Sequence, residues 1–224
     1  MNVLVTGGSS GLGAAVVDAV SKAGGTAYVI DRQPPADGVE WVECDLADTR
    51  AAEAATREII SRAGGLDGVV TAAGLDVPGA LADIPAETWE RIVMIDLFAT
   101  AAVIRAALPA LTESHGTAVT VASTLGIKAV GDATAYCAAK FGVVGFTRSL
   151  AAELAGQVGV TLVIPGGMRT RFFDDRDAQY KPGPDAILND PANVANAIMF
   201  ALGQPSGCAV RELIIAAETE TSYP

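Results

Sequence analysis

The sequence predicts one α/β domain built on a doubly wound, parallel, seven-stranded sheet with helices on both faces. Three observations predict it. Short β-rich runs alternate with helical runs along the whole chain. Runs such as VLVT and AYVI are apolar on both sides, as a sheet covered above and below requires. Half of the 224 residues are apolar and only 18% are charged, which is enough to bury one large core. No internal repeat, low-complexity tract or long Pro/Gly/Ser linker divides it.

The first strand, 2–6, runs into TGGSSGLG at 6–13, where a turn must sit to offer backbone N–H groups and a helix N-terminus to a phosphate. In this reading Gly7 makes the tight turn, Gly11 lets the backbone approach a pyrophosphate, and Gly13 lets the helix at 12–23 pack on the sheet. Ser9, Ser10 and Leu12 complete the turn. An ordinary strand-to-helix turn is the plainer alternative. Asp31 ends the second strand, 26–30, about 20 residues on, where a carboxylate can accept from an adenosine ribose. It would repel a 2′-phosphate by about 3 kcal/mol at ~5 Å and an effective dielectric near 20, which favours NAD over NADP. Arg32 could turn toward such a phosphate or stand in solvent. Asp45 follows the third strand, 40–44, placed either for an adenine edge or to cap the helix at 49–63. After the fourth strand, 68–72, the small residues Ala72, Ala73 and Gly74 leave room for a flat ligand.

A long helix at 87–111 leads to the fifth strand, 118–123, which Ser123 closes. That hydroxyl can hold a substrate oxygen at the sheet's carboxyl edge or simply bond its own loop. The next helix, 136–155, opens with Tyr136 and Lys140, which share one face with ~6 Å of axial rise between them. An ammonium there favours the phenolate and is expected to lower the tyrosine pKa toward a working general acid/base. The sixth strand, 160–164, leads into PGGMRT at 165–170, then a Pro-rich loop with Phe172, Phe173 and Tyr180. A helix at 191–202 and a last strand at 212–216 complete the order.

Taken together and in order, TGGSSGLG, Asp31, Asp45, the AAG at 72–74, Ser123, Tyr136-x-x-x-Lys140 and PGGMRT resemble the short-chain dehydrogenase/reductases, in their compact branch. The likeness covers essentially the whole chain. It implies a Rossmann-type sheet and hydride transfer between nicotinamide C4 and an alcohol or carbonyl carbon. In that scheme Tyr136 exchanges the proton, Ser123 orients the oxygen, and Lys140 holds the nicotinamide ribose and keeps Tyr136 acidic. Thr170 and the backbone after Pro165, with Gly166 and Met168, take the carboxamide end, and Leu46 joins Asp45 at the adenine. Two positions depart from the family pattern. Asp96 stands where the family usually has Asn, and Thr71 and Ala72 stand where it often has a pair of Asn. Asp96 is expected to hold the same relay water and to favour protonated Lys140, and so belongs with the catalytic set.

The resemblance also implies a homodimer or homotetramer joined through the two long helices, with Gly142 and Gly145 allowing close approach. Loop 172–190, with 75–77, Asp132 and Ala133, is expected to wall a pocket for a small or medium alcohol or carbonyl substrate. A net charge of −11 argues against nucleic acid and anionic membranes as partners. Three separated cysteines and a single histidine offer no metal-ligand pattern and suit a reduced, cytoplasmic protein, and no leader or membrane span is expected. A cofactor-binding sensor without turnover, and an NADP-specific reductase using Arg32, are the rival readings.

Overall fold

A computed structural model describes residues 1–220 and 222 of the chain. Seven parallel strands form one sheet in the order β3-β2-β1-β4-β5-β6-β7: β1 Asn2–Thr6, β2 Thr26–Asp31, β3 Glu40–Glu43, β4 Gly68–Thr71, β5 Thr117–Val121, β6 Gly159–Pro165 and β7 Glu212–Ile215. The helices are α1 Gly11–Lys22, α2 Thr49–Ala63, α3 Ala86–Val93, α4 Ala99–Ser114, α5 Thr134–Glu153 and α6 Pro191–Leu202. Strand order reverses between β1 and β4, so connections diverge to opposite faces and open a crevice at the carboxyl edge.

Alternation along the strands assigns their side chains to the two layers. Val3 and Val5 join Val16, Val20 and Ile198 under α1 and α6, while Leu4 joins Ile59, Val103, Ile104 and Leu111 under α2 and α4. α5 covers β6 through Val143, Val144, Leu162 and Ile164. Register then aligns the strand ends, with Thr6 opposite Ile30 and Thr71, Thr71 opposite Thr120, and Pro165 opposite Ile215. The residues expected to carry chemistry therefore leave the sheet along one edge.

Several ends shift by one or two residues, α5 covering Thr134–Glu153 where 136–155 was expected, and two differences bear on the site. β5 stops at Val121, because Ser123 instead turns to cap a short 3-10 turn, Thr124–Gly126, its hydroxyl accepting from the Leu125 amide at 3.1 Å. The helix expected at 87–111 is a longer rod, Ala86–Ser114, interrupted by a π turn at Met94–Phe98. A π turn inserts one residue and shifts helical phase, here leaving Asp96 fully buried while Phe98 is half-exposed. By length and composition alone this rod could cross a membrane; here α4 lies on the sheet against α2, β4 and β5. A Cβ on Gly142 would stand 2.6 Å from Leu97 Cδ2, so that glycine serves close packing of α5 on the π turn within one chain.

Ile104 is fully buried beneath the sheet and Phe200 is 60% exposed on α6. Ile104→Ala should lower the unfolding free energy by about 2–5 kcal/mol in urea titrations, while Phe200→Ala should change it by no more than about 0.5 kcal/mol.

Candidate active site

The glycine-rich turn forms as the sequence predicts. Gly7 has φ +71°, and a Cβ there would lie 2.8 Å from Ala73 Cα; a Cβ on Gly13 would lie 2.1 Å from the Gly7 carbonyl oxygen. Only glycines let this turn fold against both α1 and the segment after β4. Ser10 begins α1 without a side-chain cap, and the first turn holds no acid. The first-turn N–H groups, which no side chain caps, suit an anion. Asp31 accepts from the Ser9 amide at 3.0 Å and the Gln33 amide at 3.1 Å, tying the turn to the end of β2. Arg32 is exposed beside it. A Cβ on Gly11 would stand 3.5 Å from the Thr170 side chain, so the glycine-rich turn and the segment after β6 approach each other across the edge. These features fit a dinucleotide: a cradle that a Cβ would fill, an uncapped helix start and a carboxylate at ribose distance along the chain.

Some candidates take other duties. The Asp45 carboxylate pairs with Arg91 at 2.7 Å and accepts from the Ala47 amide at 3.0 Å. These contacts hold its pKa below the usual carboxylate value against the opposing effect of burial. The cap of α2 is Asp48, which accepts from Arg50 and Ala51, so the capping role weighed for Asp45 belongs to its neighbour. Leu12 and Leu46 are buried in the core, which leaves only their backbone for a ligand. Ala72 and Ala73 are half-buried, and the Ala73 amide bonds Thr6 Oγ1 at 3.2 Å. Met168 packs against the core, and Thr170 accepts from Phe172 N at 3.3 Å. Pro165 ends β6, and the Gly166 amide continues its pairing to Ile215. Glu220, which sequence reasoning passed over, accepts from the Gly167 amide at 2.9 Å and so braces this segment from the far end of the chain.

At the centre, Tyr136, Lys140, Ser123 and Asp96 come together. Lys140 Nζ lies 5.4 Å from the centroid of the Tyr136 ring, donates to the Val121 carbonyl at 3.2 Å and pairs with Asp96 Oδ2 at 3.3 Å. Asp96 Oδ1 accepts from the Leu75 amide at 2.8 Å. The pair is almost wholly buried, with side chains 4% and 0% exposed. Gly74 lies over it, its Cβ position 3.5 Å from Asp96 Oδ2 and 3.6 Å from Lys140 Nζ.

The electrostatics are partly opposite to expectation. Burial raises the Tyr136 pKa above 10.0; the Lys140 charge and a hydrogen bond from Ser123 work to lower it, and the Asp96 and Asp76 charges push it up again. Lys140 therefore acts in the expected direction, but desolvation of the phenolate outweighs it. Burial likewise disfavours the Lys140 ammonium, yet Asp96 and Tyr136 overcome this and raise its pKa. Asp96 is pushed up by burial from 3.8 to about 6, against the pull of Lys140 and the Leu75 amide. The folded chain thus holds more protons at Asp96 than the unfolded chain between about pH 4 and 6. Its contribution to stability falls as pH rises through that window.

The loop expected to cover the substrate does lie here. Phe172 packs on Tyr136 with ring centroids 5.8 Å apart, beside Leu75, Trp89 and Leu125. Arg176 from the same loop reaches back to Asp76 at 2.7 Å. Asp76 lay within the expected wall, but its pairing with a residue 100 positions away has no local signal. Tyr180 donates to Asp132 at 3.0 Å and fastens the loop's outer rim. Among the described residues no cluster of His, Cys, Asp and Glu could hold a metal ion.

Comparison with known proteins shows the family. Residues 1–181 match the family model for short chain dehydrogenases. L-fucose dehydrogenase of Mus musculus is 28% identical over 242 residues, covering 99% of this chain and 89% of its own. Cis-2,3-dihydrobiphenyl-2,3-diol dehydrogenase of Pseudomonas sp. (strain KKS102) is 35% identical over 181 residues, covering 75% of this chain and 66% of its own. The fold matches that of an alcohol dehydrogenase from the archaeon Thermococcus sibiricus complexed with 5-hydroxy-NADP, with TM-score 0.85 and 22% identity, over 98% of this chain and 97% of that one. The family match runs from β1 into the loop that carries Phe172 and Arg176, and the chain belongs to the short-chain dehydrogenase/reductases as an oxidoreductase of that family.

Proposed function

We propose that the protein interconverts an alcohol and a ketone or aldehyde by hydride transfer with NAD(H), using Tyr136, Ser123 and Lys140. One observation carries the reading: a buried phenol is hydrogen-bonded to Ser123 and lies beside the ammonium of Lys140, at the same sheet edge as the glycine-rich turn. A protein that only sensed a dinucleotide would have no use for this proton-transfer set. The bound nicotinamide would accept or supply the hydride. Tyr136 would give its proton to the carbonyl oxygen during reduction and take the hydroxyl proton during oxidation. Ser123 would orient that oxygen, and Lys140 would stabilise the phenolate and hold the ribose. Asp31 supports NAD over NADP, since a 2′-phosphate would meet a carboxylate already fixed to the Ser9 and Gln33 amides.

The raised Tyr136 pKa sets the pH behaviour. At neutral pH the phenol keeps its proton and is ready to donate, so reduction should run at neutral pH without an alkaline requirement. Oxidation first needs the phenolate, so its rate should climb with pH toward and beyond about 10. Across a panel of carbonyl compounds followed by NADH consumption, Tyr136→Phe should lose about 10²–10⁴-fold while still binding NADH. NADPH run in parallel should bind more weakly. Equal background from wild type and variant would favour the sensor reading.

Asp96 is assigned as a positioning residue acting through Lys140. Asp96→Asn retains an acceptor for Leu75 but removes the charge, so turnover at neutral pH should stay within about tenfold of wild type, and any loss of rate below about pH 6 should disappear. An increase of several orders of magnitude at neutral pH would contradict this role.

The same reading pairs two copies of the chain across the Ala86–Ser114 rod and α5, where Phe98 of the π turn and Phe141 of α5 are 51% and 45% exposed. Light scattering should give a multiple of the 22.7 kDa chain mass; a monomer at micromolar concentration would oppose it.

A further inference from the structure

Beside Tyr136 lies an ion pair whose hydrogen bonding is half made. Asp76 lies in the segment after β4, and Arg176 in the loop after β6; their side chains are only 3% and 13% exposed. Arg176 donates from one terminal nitrogen to Asp76 Oδ2 at 2.7 Å. The other half of the fork is not closed: Asp76 Oδ1 and Arg176 Nε are both buried and lack a hydrogen-bond partner, and beyond Arg176 the Asp76 carboxylate is supported by the Val77 amide and the more distant charge of Lys140. A side-on arginine–carboxylate pair normally closes both bonds. Leaving a buried polar atom unpaired is unfavourable, so two such atoms on one ion pair are a reason to look for a group that bonds both.

The guanidinium is held in place by aromatic faces. Its central carbon lies 4.9 Å from the Phe172 centroid and 4.7 Å from that of Phe173, and Phe172 in turn packs on Tyr136. Only one aromatic ring separates the open fork from the phenol. The charges around it select the ligand's chemistry. A carboxylate drawn to Arg176 would meet Asp76, and an ammonium drawn to Asp76 would meet Arg176 and the nearby charge of Lys140. A neutral oxygen that carries one proton fits both sides: it accepts from Arg176 Nε and donates to Asp76 Oδ1.

We propose that Asp76 and Arg176 form a hydroxyl-reading fork, and that the substrate is a polyhydroxylated alcohol or sugar-like compound with a second hydroxyl remote from the reacting carbon. This rests on the oxidoreductase reading of the same pocket, and it adds what that reading leaves open, the class of substrate. Asp76 and Arg176 bind and orient the substrate; neither takes part in proton transfer.

The test separates recognition from turnover by measuring both. Aldohexoses and the 1,2-, 1,3- and 1,4-cyclohexanediols are titrated into the protein–NADH complex and assayed with NAD⁺. Tetrahydropyran-2-ol and cyclohexanol serve as counterparts lacking the second hydroxyl. At least one polyol should bind more than tenfold tighter than its counterpart. That ratio should fall toward one in Asp76→Asn and in Arg176→Met, the latter keeping an unbranched side chain without the guanidinium that faces Phe172 and Phe173. Because each variant is judged by a ratio of two ligands, a general loss of folding or activity does not imitate the result. Equal binding of every polyol and its counterpart, or a preference that survives both substitutions, overturns the fork whether or not turnover is seen. Preferential binding without any oxidation, with Tyr136→Phe matching wild type, would uphold the fork and overturn the catalytic reading instead.

Discussion

The pocket depends on one buried ion pair. Lys140 and Asp96 meet at 3.3 Å where water is almost excluded, and each has a further backbone partner, the Val121 carbonyl and the Leu75 amide. Burying two charges costs several kcal/mol per ion unless their remaining hydrogen-bonding capacity is met. Here the backbone bonds to Leu75 and Val121 meet part of it, Asp96 Oδ2 having the Lys140 charge but no hydrogen bond, and they bring the segment after β4, the end of β5, the π turn and the first turns of α5 to one point. Whatever stability the pair contributes, it constrains those four segments to a single arrangement. That arrangement presents Tyr136 and Ser123 at the sheet's edge.

The sheet supplies the rest. With all strands parallel, every carboxyl end lies on one side, and the reversal of strand order between β1 and β4 opens the crevice there. The glycine-rich turn occupies one flank, through contacts too close for any Cβ, and the Phe172–Arg176 segment folds over the other. Charges are graded along this edge. Asp31 and the uncapped start of α1 suit a nucleotide, the Lys140–Asp96 pair lies beside Tyr136, and the half-made Asp76–Arg176 pair stands one aromatic ring beyond it.

Much of this was legible in the sequence because its signals are local. Two-sided apolar runs mark buried strands, glycines at fixed offsets mark the phosphate turn, and a Tyr–Lys spacing of four places both on one helical face. The π turn was not legible: the tertiary contacts it makes, Leu97 close to Gly142 and Asp96 paired with Lys140, leave no periodic trace in 87–111. Asp45 was read for its position after β3, yet Arg91, 46 residues later, claims its carboxylate. The Asp76–Arg176 and Glu220–Gly167 contacts likewise join distant segments and need the fold to bring them together. The expected lowering of the Tyr136 pKa failed for a related reason. The neighbouring ammonium was visible in the sequence, while the depth at which the phenol is buried was not.

The central claim is that the proton on Tyr136 is governed by burial opposed by the charge of Lys140. It is tested most directly by titrating tyrosine labelled with ¹³C at Cζ by NMR, assigning the Tyr136 signal through Tyr136→Phe and comparing the parent chain with Lys140→Met. The phenol should titrate above 10.0 in the parent chain and higher still once the ammonium is removed. A value at or below 10.0 in the parent chain, or one that stays or falls when Lys140 is replaced, would contradict it.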